Sequence, residues 1–187
     1  GINSFDAFSN VRIIQGDTLF VYGDVLYYDG NTKLARLRQN VRMINKTTTL
    51  VTDSLNYDRN INLAYYFNGG EIIDKENNLK SVLGEYSPNT NEAVFRNGVR
   101  LTNKNFTMDA DTLHYNTSTH IANIVGNTHI IHEEETNIYT DKGWYNTETE
   151  KSMLLNRSLL VDKDGKTLTG DTVFYDKKNK YGEAFKN

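Results

Sequence analysis

The sequence predicts an all-β protein built from stacked repeats of about 29 residues. Three observations lead to this prediction: tyrosines recur at a fixed spacing, apolar and polar residues alternate over short runs, and each run ends in residues typical of turns. The tyrosines are separated by steps of 29, 29, 29, 30 and 30 residues, at Tyr28, Tyr57, Tyr86, Tyr115, Tyr145 and Tyr175. A fixed period of this length is typical of repeat arrays, in which each unit buries its apolar face against the next.

Further columns of the repeat keep their chemistry when positions are counted from each tyrosine. The residue seven positions later is small in every unit, as at Ala35 and Ala93. In the first five units, the residues nine and fifteen positions later are large and apolar. The first of these columns contains Leu37, Tyr66, Phe95, Ile124 and Leu154, and the second contains Met43, Ile72, Leu101, Ile130 and Leu160.

Within each unit the apolar residues alternate with a period of two, which indicates half-buried strands. Ala35 and Leu37 would share one face of a strand in this way. The runs end in glycine, asparagine and aspartate, as at 29–31 and 97–98, and these residues favour tight turns. We therefore expect about three short strands per unit, joined by tight turns, and little or no helix.

An aspartate stands four residues before the tyrosine in five of the six units, and Val82 replaces it in the third. On an ideal strand this aspartate would share the inward face of the tyrosine. We expect it instead at a corner or bulge, where a carboxylate accepts backbone N–H groups. Because Val82 and Gly84 break the pattern, we also expect an irregularity of the stack in the third unit.

Composition excludes several classes of function. The net charge of −3 disfavours general binding of nucleic acid. The absence of cysteine removes disulfides and thiol chemistry. No apolar run reaches the ~20 residues of a membrane span. We expect residues 1–187 to form a single repeat domain.

The sequence offers little for catalysis or for a metal ion. His129 and His132 precede an acidic run at 133–135, but residues three apart on a strand face opposite sides, so we expect no shared metal. His114 and His120 are expected at surface strand positions. No catalytic motif with a serine, metal or nucleotide signature occurs, so we expect neither an enzyme nor a cofactor.

Arginines recur on both sides of one predicted turn. Arg38 and Arg96 occupy one column, and Arg42 and Arg100 occupy another four residues later. Stacked guanidinium groups at such an edge could contact phosphate. The alternative is ordinary cross-strand pairing with neighbouring glutamate or aspartate.

The repeat resembles the OstA/LptA family of lipopolysaccharide-transport proteins, a domain type also found in LptC and in the N-terminal part of LptD. The phrases that carry the resemblance are 170–175 with 184–185, 111–115 with Ala122, and 53–57 with Ala64. The partner phrases at 40–43 and 98–101 belong to the same pattern. The resemblance extends over essentially the whole chain.

This resemblance implies an open antiparallel β-jellyroll with an apolar groove for lipid A acyl chains, lined by the two apolar columns above. It also implies a periplasmic location, although the sequence contains no signal peptide. The implied partners are lipopolysaccharide, other Lpt-type proteins and further copies joined head to tail through terminal strands. The alternative is a structural, adhesin-like β-solenoid with a dry core and no ligand.

Overall fold

The alternating sequence forms strands almost throughout. The computed structural model describes residues 3–132 and 136–186, and these ranges contain fifteen strands and no helix. None of the described residues therefore forms a helix that could cross a bilayer. The strands are β1 (Ser4–Gln15), β2 (Leu19–Asp29), β3 (Leu34–Asn45), β4 (Thr48–Asp58), β5 (Leu63–Tyr66), β6 (Gly70–Asp74), β7 (Asn77–Ser81), β8 (Leu83–Ser87), β9 (Glu92–Thr102), β10 (Phe106–Asn116), β11 (Ile121–His132), β12 (Asn137–Asn146), β13 (Lys151–Val161), β14 (Thr167–Asp176) and β15 (Tyr181–Phe185).

Outside the third unit, successive strands of the described ranges pair as antiparallel neighbours. The order is β1-β2-β3-β4-β5-β8-β9-β10-β11-β12-β13-β14-β15, while β6 pairs with β4 and β7, and β7 also pairs with β9. Short turns suffice for such connections because antiparallel strands need no long crossover. This arrangement confirms the predicted all-β antiparallel fold, and it excludes a parallel β-solenoid.

Most strands are longer than the sequence pattern predicted. Each regular unit contains two strands of 10–12 residues rather than three short ones. The prediction of three short strands is wrong because an Asn-Gly pair can form a bulge inside a strand as well as a turn between strands. Asn97 and Gly98 lie within β9, with φ angles of 65° and 68°, at the position where its pairing register shifts. Two left-handed residues bend the strand there without ending it.

These bends divide the long strands between two layers. In β9, residues 92–96 belong to the first layer, which contains the repeating tyrosines, and residues 99–102 belong to the second. The inward faces of both layers contribute to one continuous hydrophobic core. The layers are joined covalently along the line of bends, which we call the corner.

The aspartate column lies at this corner. Asp24, Asp53, Asp111, Asp141 and Asp171 all fall where the strand register shifts. Oδ2 of Asp111 accepts the backbone N–H of Asn127 at 3.0 Å. The predicted corner role is therefore confirmed, and the bulge directs these side chains away from the core.

The third unit departs from this pattern, as its sequence predicted. Here the chain breaks at the corner into β5 and β6, and again into β7 and β8. Val82 takes the place of the aspartate and is exposed. Its backbone still continues the pairing, because its carbonyl accepts the N–H of Gly69 at 2.9 Å and its N–H reaches the carbonyl of Asn97 at 3.0 Å.

Candidate functional site

The two apolar columns singled out in the sequence face each other across the interior. The column nine residues after each tyrosine lies in the first layer, and the column fifteen residues after it lies in the second. All ten residues are between 0 and 5% exposed: Leu37, Tyr66, Phe95, Ile124, Leu154, Met43, Ile72, Leu101, Ile130 and Leu160. They form two continuous apolar stripes through one core.

The stripe residues are almost inaccessible to solvent, since none of the ten is more than 5% exposed. Clefts of about 530 Å³ lie instead at the surface. One is at the turns and is lined by residues including Lys75, Asn77 and Glu148. Another is at the corner of the third unit, beside Thr52 and Val82. Any ligand of the apolar stripes must therefore enter by separating the two layers.

Tyr66 is an exception in the first stripe because it is the one polar-tipped side chain there. It pairs with Gly84, and a Cβ atom at Gly84 would lie 2.2 Å from Cζ of the ring. Gly70 leaves space on another side of the ring, and the Tyr66 hydroxyl lies 2.8 Å from Oγ of Ser81. The glycine at position 84 thus accommodates the larger side chain at position 66.

The repeating tyrosines connect the layers on the side opposite the corner. The hydroxyl of Tyr57 lies 3.0 Å from Oε1 of Gln15, and Nδ2 of Asn45 donates to the hydroxyl of Tyr86 at 2.9 Å. Each contact joins a first-layer tyrosine to the last residue of a second-layer strand, 41 or 42 residues earlier in the chain. We call this side of the molecule the tyrosine edge.

Two of the partners at the tyrosine edge, Asn45 and Asp74, belong to a polar column that sequence reasoning missed. Seventeen residues after the tyrosines stand Asn45, Asp74, Asn103, His132 and Asp162. Each residue of this column stands two positions after an inward-facing apolar residue, so on a strand it faces inward as well. This alternation could have predicted the column from the sequence. Asn45, Asp74 and His132 are buried.

The most extensive network at the tyrosine edge surrounds Asp74, which is wholly buried. Its Oδ2 accepts from the hydroxyl of Tyr115 at 2.8 Å and from Nδ1 of His120 at 3.1 Å. Lys75 lies 3.0 Å from Nε2 of His120. Because an ammonium group only donates, these contacts assign the imidazole proton to Nδ1. His120 is only 6% exposed, so the prediction of a surface position is wrong: it lies in a turn that packs on Asp74.

Burial suppresses ionisation of the interior tyrosines. It raises the pKa of Tyr66 to about 12, and it also raises the pKa values of Tyr57 and Tyr115. Burial also raises the pKa of Tyr145. The hydroxyl of this tyrosine is buried without a hydrogen-bond partner among the described residues. The aromatic rings of Phe106 and His132 pack beside it.

The predicted arginine columns are partly engaged in pairing. Arg100 donates to both oxygens of Asp109, at 2.7 and 2.9 Å, and this contact raises the pKa of Arg100 and lowers that of Asp109. Arg96 lies 3.3 Å from Glu85. Arg38 donates to the carbonyls of Leu37 and Leu55.

Arg42 differs from these three arginines. It is exposed and has no ion pair or side-chain hydrogen bond among the described residues. Of the four predicted arginines, Arg96 and Arg100 show the predicted alternative, which is cross-strand pairing with a carboxylate.

The histidines of β11 lie on opposite faces, as their spacing predicted. His129 is partly exposed and stacks on Tyr139 at 4.5 Å, whereas His132 faces the core. The acidic run at 133–135 lies outside the described residues. His114 is exposed, as expected. Within the described ranges, no three histidine, aspartate or glutamate side chains converge as a metal site requires.

Comparisons with known proteins agree with this architecture. Residues 1–111 match the model of a family described as OstA-like protein. The chain is also similar to the crystal structure of LptH, the LptA-homologous periplasmic component of the lipopolysaccharide transport device of Pseudomonas aeruginosa. That match has a TM-score of 0.52 and 16% identity, and it covers 57% of this chain and 81% of LptH. At this identity the likeness establishes the fold alone. No curated protein matches the chain.

Proposed function

The chain belongs to the family of OstA-like proteins, and on that premise we propose that it is a non-enzymatic carrier of lipopolysaccharide. In this proposal the acyl chains lie between the two layers, against the ten residues of the apolar stripes. The observation that carries the proposal is the continuity of the two stripes through every full unit. Continuous stripes of this kind offer a long alkyl chain one uninterrupted apolar surface.

The energetics favour binding only if the layers separate. Each CH₂ group removed from water contributes about 0.8 kcal/mol, so one acyl chain of ordinary length gains several kcal/mol. Two costs oppose this gain. The layers lose their packing against each other, which the acyl chain must replace. They also lose polar contacts at the tyrosine edge, each worth about 0.5–1.5 kcal/mol. We propose that the lipid enters at this edge, because the corner opposite is covalently continuous.

Location and partners follow from the same premise. LptH is a periplasmic component of a lipopolysaccharide transport device. We accordingly propose that this chain acts in the periplasm, with residues 1–187 as one carrier unit and Lpt-type proteins as its partners. Of the predicted phosphate-contact residues, Arg42 is the most available, since Arg38, Arg96 and Arg100 already have partners.

The terminal strands supply the proposed route to assembly. Within the described residues, β1 pairs only with β2 and β15 only with β14, so each leaves one edge unpaired. An unpaired edge can accept a further strand through backbone hydrogen bonds. Sedimentation should show association that increases with concentration. A strict monomer at high concentration would remove this part of the proposal and leave the lipid site intact.

Site-specific photo-crosslinking tests the lipid site. A photoreactive residue at Phe95 or Leu101 should crosslink to added lipopolysaccharide. The matched control is Val94, the strand neighbour of Phe95, which points away from the core. Crosslinks to lipid from Val94 alone, or from none of the three, would contradict the proposal.

A second function is favoured by one observation, the near-complete burial of the stripe residues against one another. In that case the chain is a structural repeat whose apolar residues only fill a dry core. Interior probes would then crosslink to protein alone, even with excess lipopolysaccharide. The photo-crosslinking experiment therefore separates the two functions.

A further inference from the structure

The outer face of the second layer carries an unusual group of residues at its N-terminal end. Arg12, Tyr22 and Arg42 are direct neighbours on β1, β2 and β3. Beside them, Ile14, Phe20 and Ile44 form a second row across the same strands. We call these six residues the basic–aromatic patch. Neighbouring strands lie about 4.8 Å apart, so the patch extends about 10 Å across the sheet.

The charges of the patch differ from those further along the same face. The column that contains Arg12 and Arg42 continues through Glu71 and Arg100. Glu71 pairs with Lys80 at 3.2 Å, and Arg100 pairs with Asp109 at 2.7 Å. Neither Arg12 nor Arg42 has an ion-pair partner among the described residues.

The charged groups around the patch compensate for these arginines only in part. Asp17 and Lys46 lie in the two adjoining turns, which touch where the N–H of Lys46 donates to the carbonyl of Thr18. Their charges have opposite sign and offset each other. At the corner end, Asp24 accepts a hydrogen bond from Asn40 at 2.6 Å. The patch therefore has two positive charges beside the single negative charge of Asp24, which a neutral amide donor does not cancel.

Within the apolar part of the patch, Phe20 is specific to this end of the array, whereas the isoleucines beside it recur further along the same row as Ile73 and Ile131. The column of Phe20 continues as Thr49, Asn78, Thr107, Asn137 and Thr167, all polar. Ile14 is 54% exposed. The guanidinium of Arg12 lies 5.6 Å from the ring centroid of Phe20 and 5.9 Å from that of Tyr22. Stacking of this kind holds the cation at the surface beside the aromatic rings.

We propose that the basic–aromatic patch docks the protein on the surface of an anionic lipid bilayer. Unpaired arginines fit lipid phosphates, and aromatic and aliphatic side chains next to them fit the boundary between headgroups and acyl chains. The half-buried ring of Phe20 and the exposed side chain of Ile14 give the patch an apolar surface directly beside its charges, as a headgroup boundary requires. Docking is reversible, because each arginine near an anionic surface raises the partition coefficient between membrane and water only about fivefold, equivalent to about 1 kcal/mol.

Flotation with lipid vesicles tests this inference on the full chain. The protein should bind vesicles of phosphatidylglycerol and phosphatidylcholine but not vesicles of phosphatidylcholine alone. Raising the salt concentration should release it, since the attraction is screened. Equal binding to both kinds of vesicle, or binding to neither, would overturn the proposal and leave the apolar stripes as the proposed site for the acyl chains of lipopolysaccharide.

Variants then locate the docking surface. Arg42→Gln should reduce binding about fivefold, and Arg12→Gln with Arg42→Gln about 25-fold. Phe20→Thr, which restores the residue type of its column, should also weaken binding. The matched control is Lys80→Gln, on the same face but already paired with Glu71, and it should bind like the wild type. An equal loss of vesicle binding in Lys80→Gln would refute the assignment of docking to the patch. Self-association without lipid that the double variant abolishes would refute it too, because the patch would then be an interface between copies of the chain.

Discussion

The hydroxyl of Tyr115 donates a hydrogen bond to the carboxylate of Asp74 across 2.8 Å, and the two residues are 41 positions apart in the chain. The contact joins a first-layer tyrosine to the last residue of a second-layer strand. Both side chains are buried, so each satisfies a polar group that water cannot reach. The hydrogen bond therefore helps to hold the two layers together at the tyrosine edge.

Tyr115→Phe should destabilise the protein by about 1–3 kcal/mol, because it removes a donor from a buried carboxylate. Tyr145→Phe is the matched control. The hydroxyl of Tyr145 is buried without a hydrogen-bond partner among the described residues, so its removal should be neutral or slightly stabilising. Urea unfolding of both variants measures the difference. Equal losses would show that ring packing, rather than the hydrogen bond, decides the stability of this edge.

Gly84→Ala should destabilise the protein by about 1–3 kcal/mol, because the new methyl group would overlap the ring of Tyr66. In a Tyr66→Leu background the same change should cost much less, since leucine is the residue found in this column at positions 37 and 154. A double-mutant cycle of unfolding free energies measures this coupling. Strict additivity would mean that Gly84 is required for another reason.

Gly98→Val should cost about 1–2 kcal/mol or more, because a β-branched residue would occupy the left-handed conformation of the corner, at a φ of 68°. Gly23→Ala is the comparison. Its Cβ would meet the side chains of Leu37 and Val41 at ordinary contact distances, so a small effect is expected. Thermal unfolding of the two variants provides the test. A harmless valine at position 98 would show that the corner has an alternative geometry.

Alkaline pH should weaken the fold through Tyr66. Its pKa rises from 10.0 in the unfolded chain to about 12 in the folded protein because burial disfavours the tyrosinate. The stability contributed by the neutral form is complete below pH 10 and is lost as the pH rises to about 12. The loss amounts to roughly 2–3 kcal/mol, since each pKa unit corresponds to about 1.4 kcal/mol.

Unfolding free energies measured across this pH range, for the wild type and Tyr66→Phe, isolate the contribution. The phenylalanine variant should lose less stability between pH 10 and 12. The other buried tyrosines act equally in both proteins, so their effects cancel in the comparison. Identical pH profiles would mean that Tyr66 ionises in the folded state as it does in the unfolded chain.

Sequence periodicity predicted the strand faces well, because burial follows the alternation of side chains and the alternation is local. The ten stripe residues and the corner aspartates illustrate this. It did not distinguish a bulge from a turn at Asn97 and Gly98, since left-handed residues serve both. It also placed His120 at the surface, because its partner Asp74 is 46 residues away and only the stacking of units brings them together.

The corner also determines which motions the molecule permits. Ten of the fifteen strands, β1–β4 and β9–β14, cross from one layer to the other through a bonded bend. The layers therefore cannot slide past each other without breaking strand pairing in both. Rotation about the line of bends leaves that pairing intact. The third unit, where the strands break at this line, then has the least resistance to local opening. A carrier of this construction would widen as a hinge does, along one side only, while its length and strand register stay fixed.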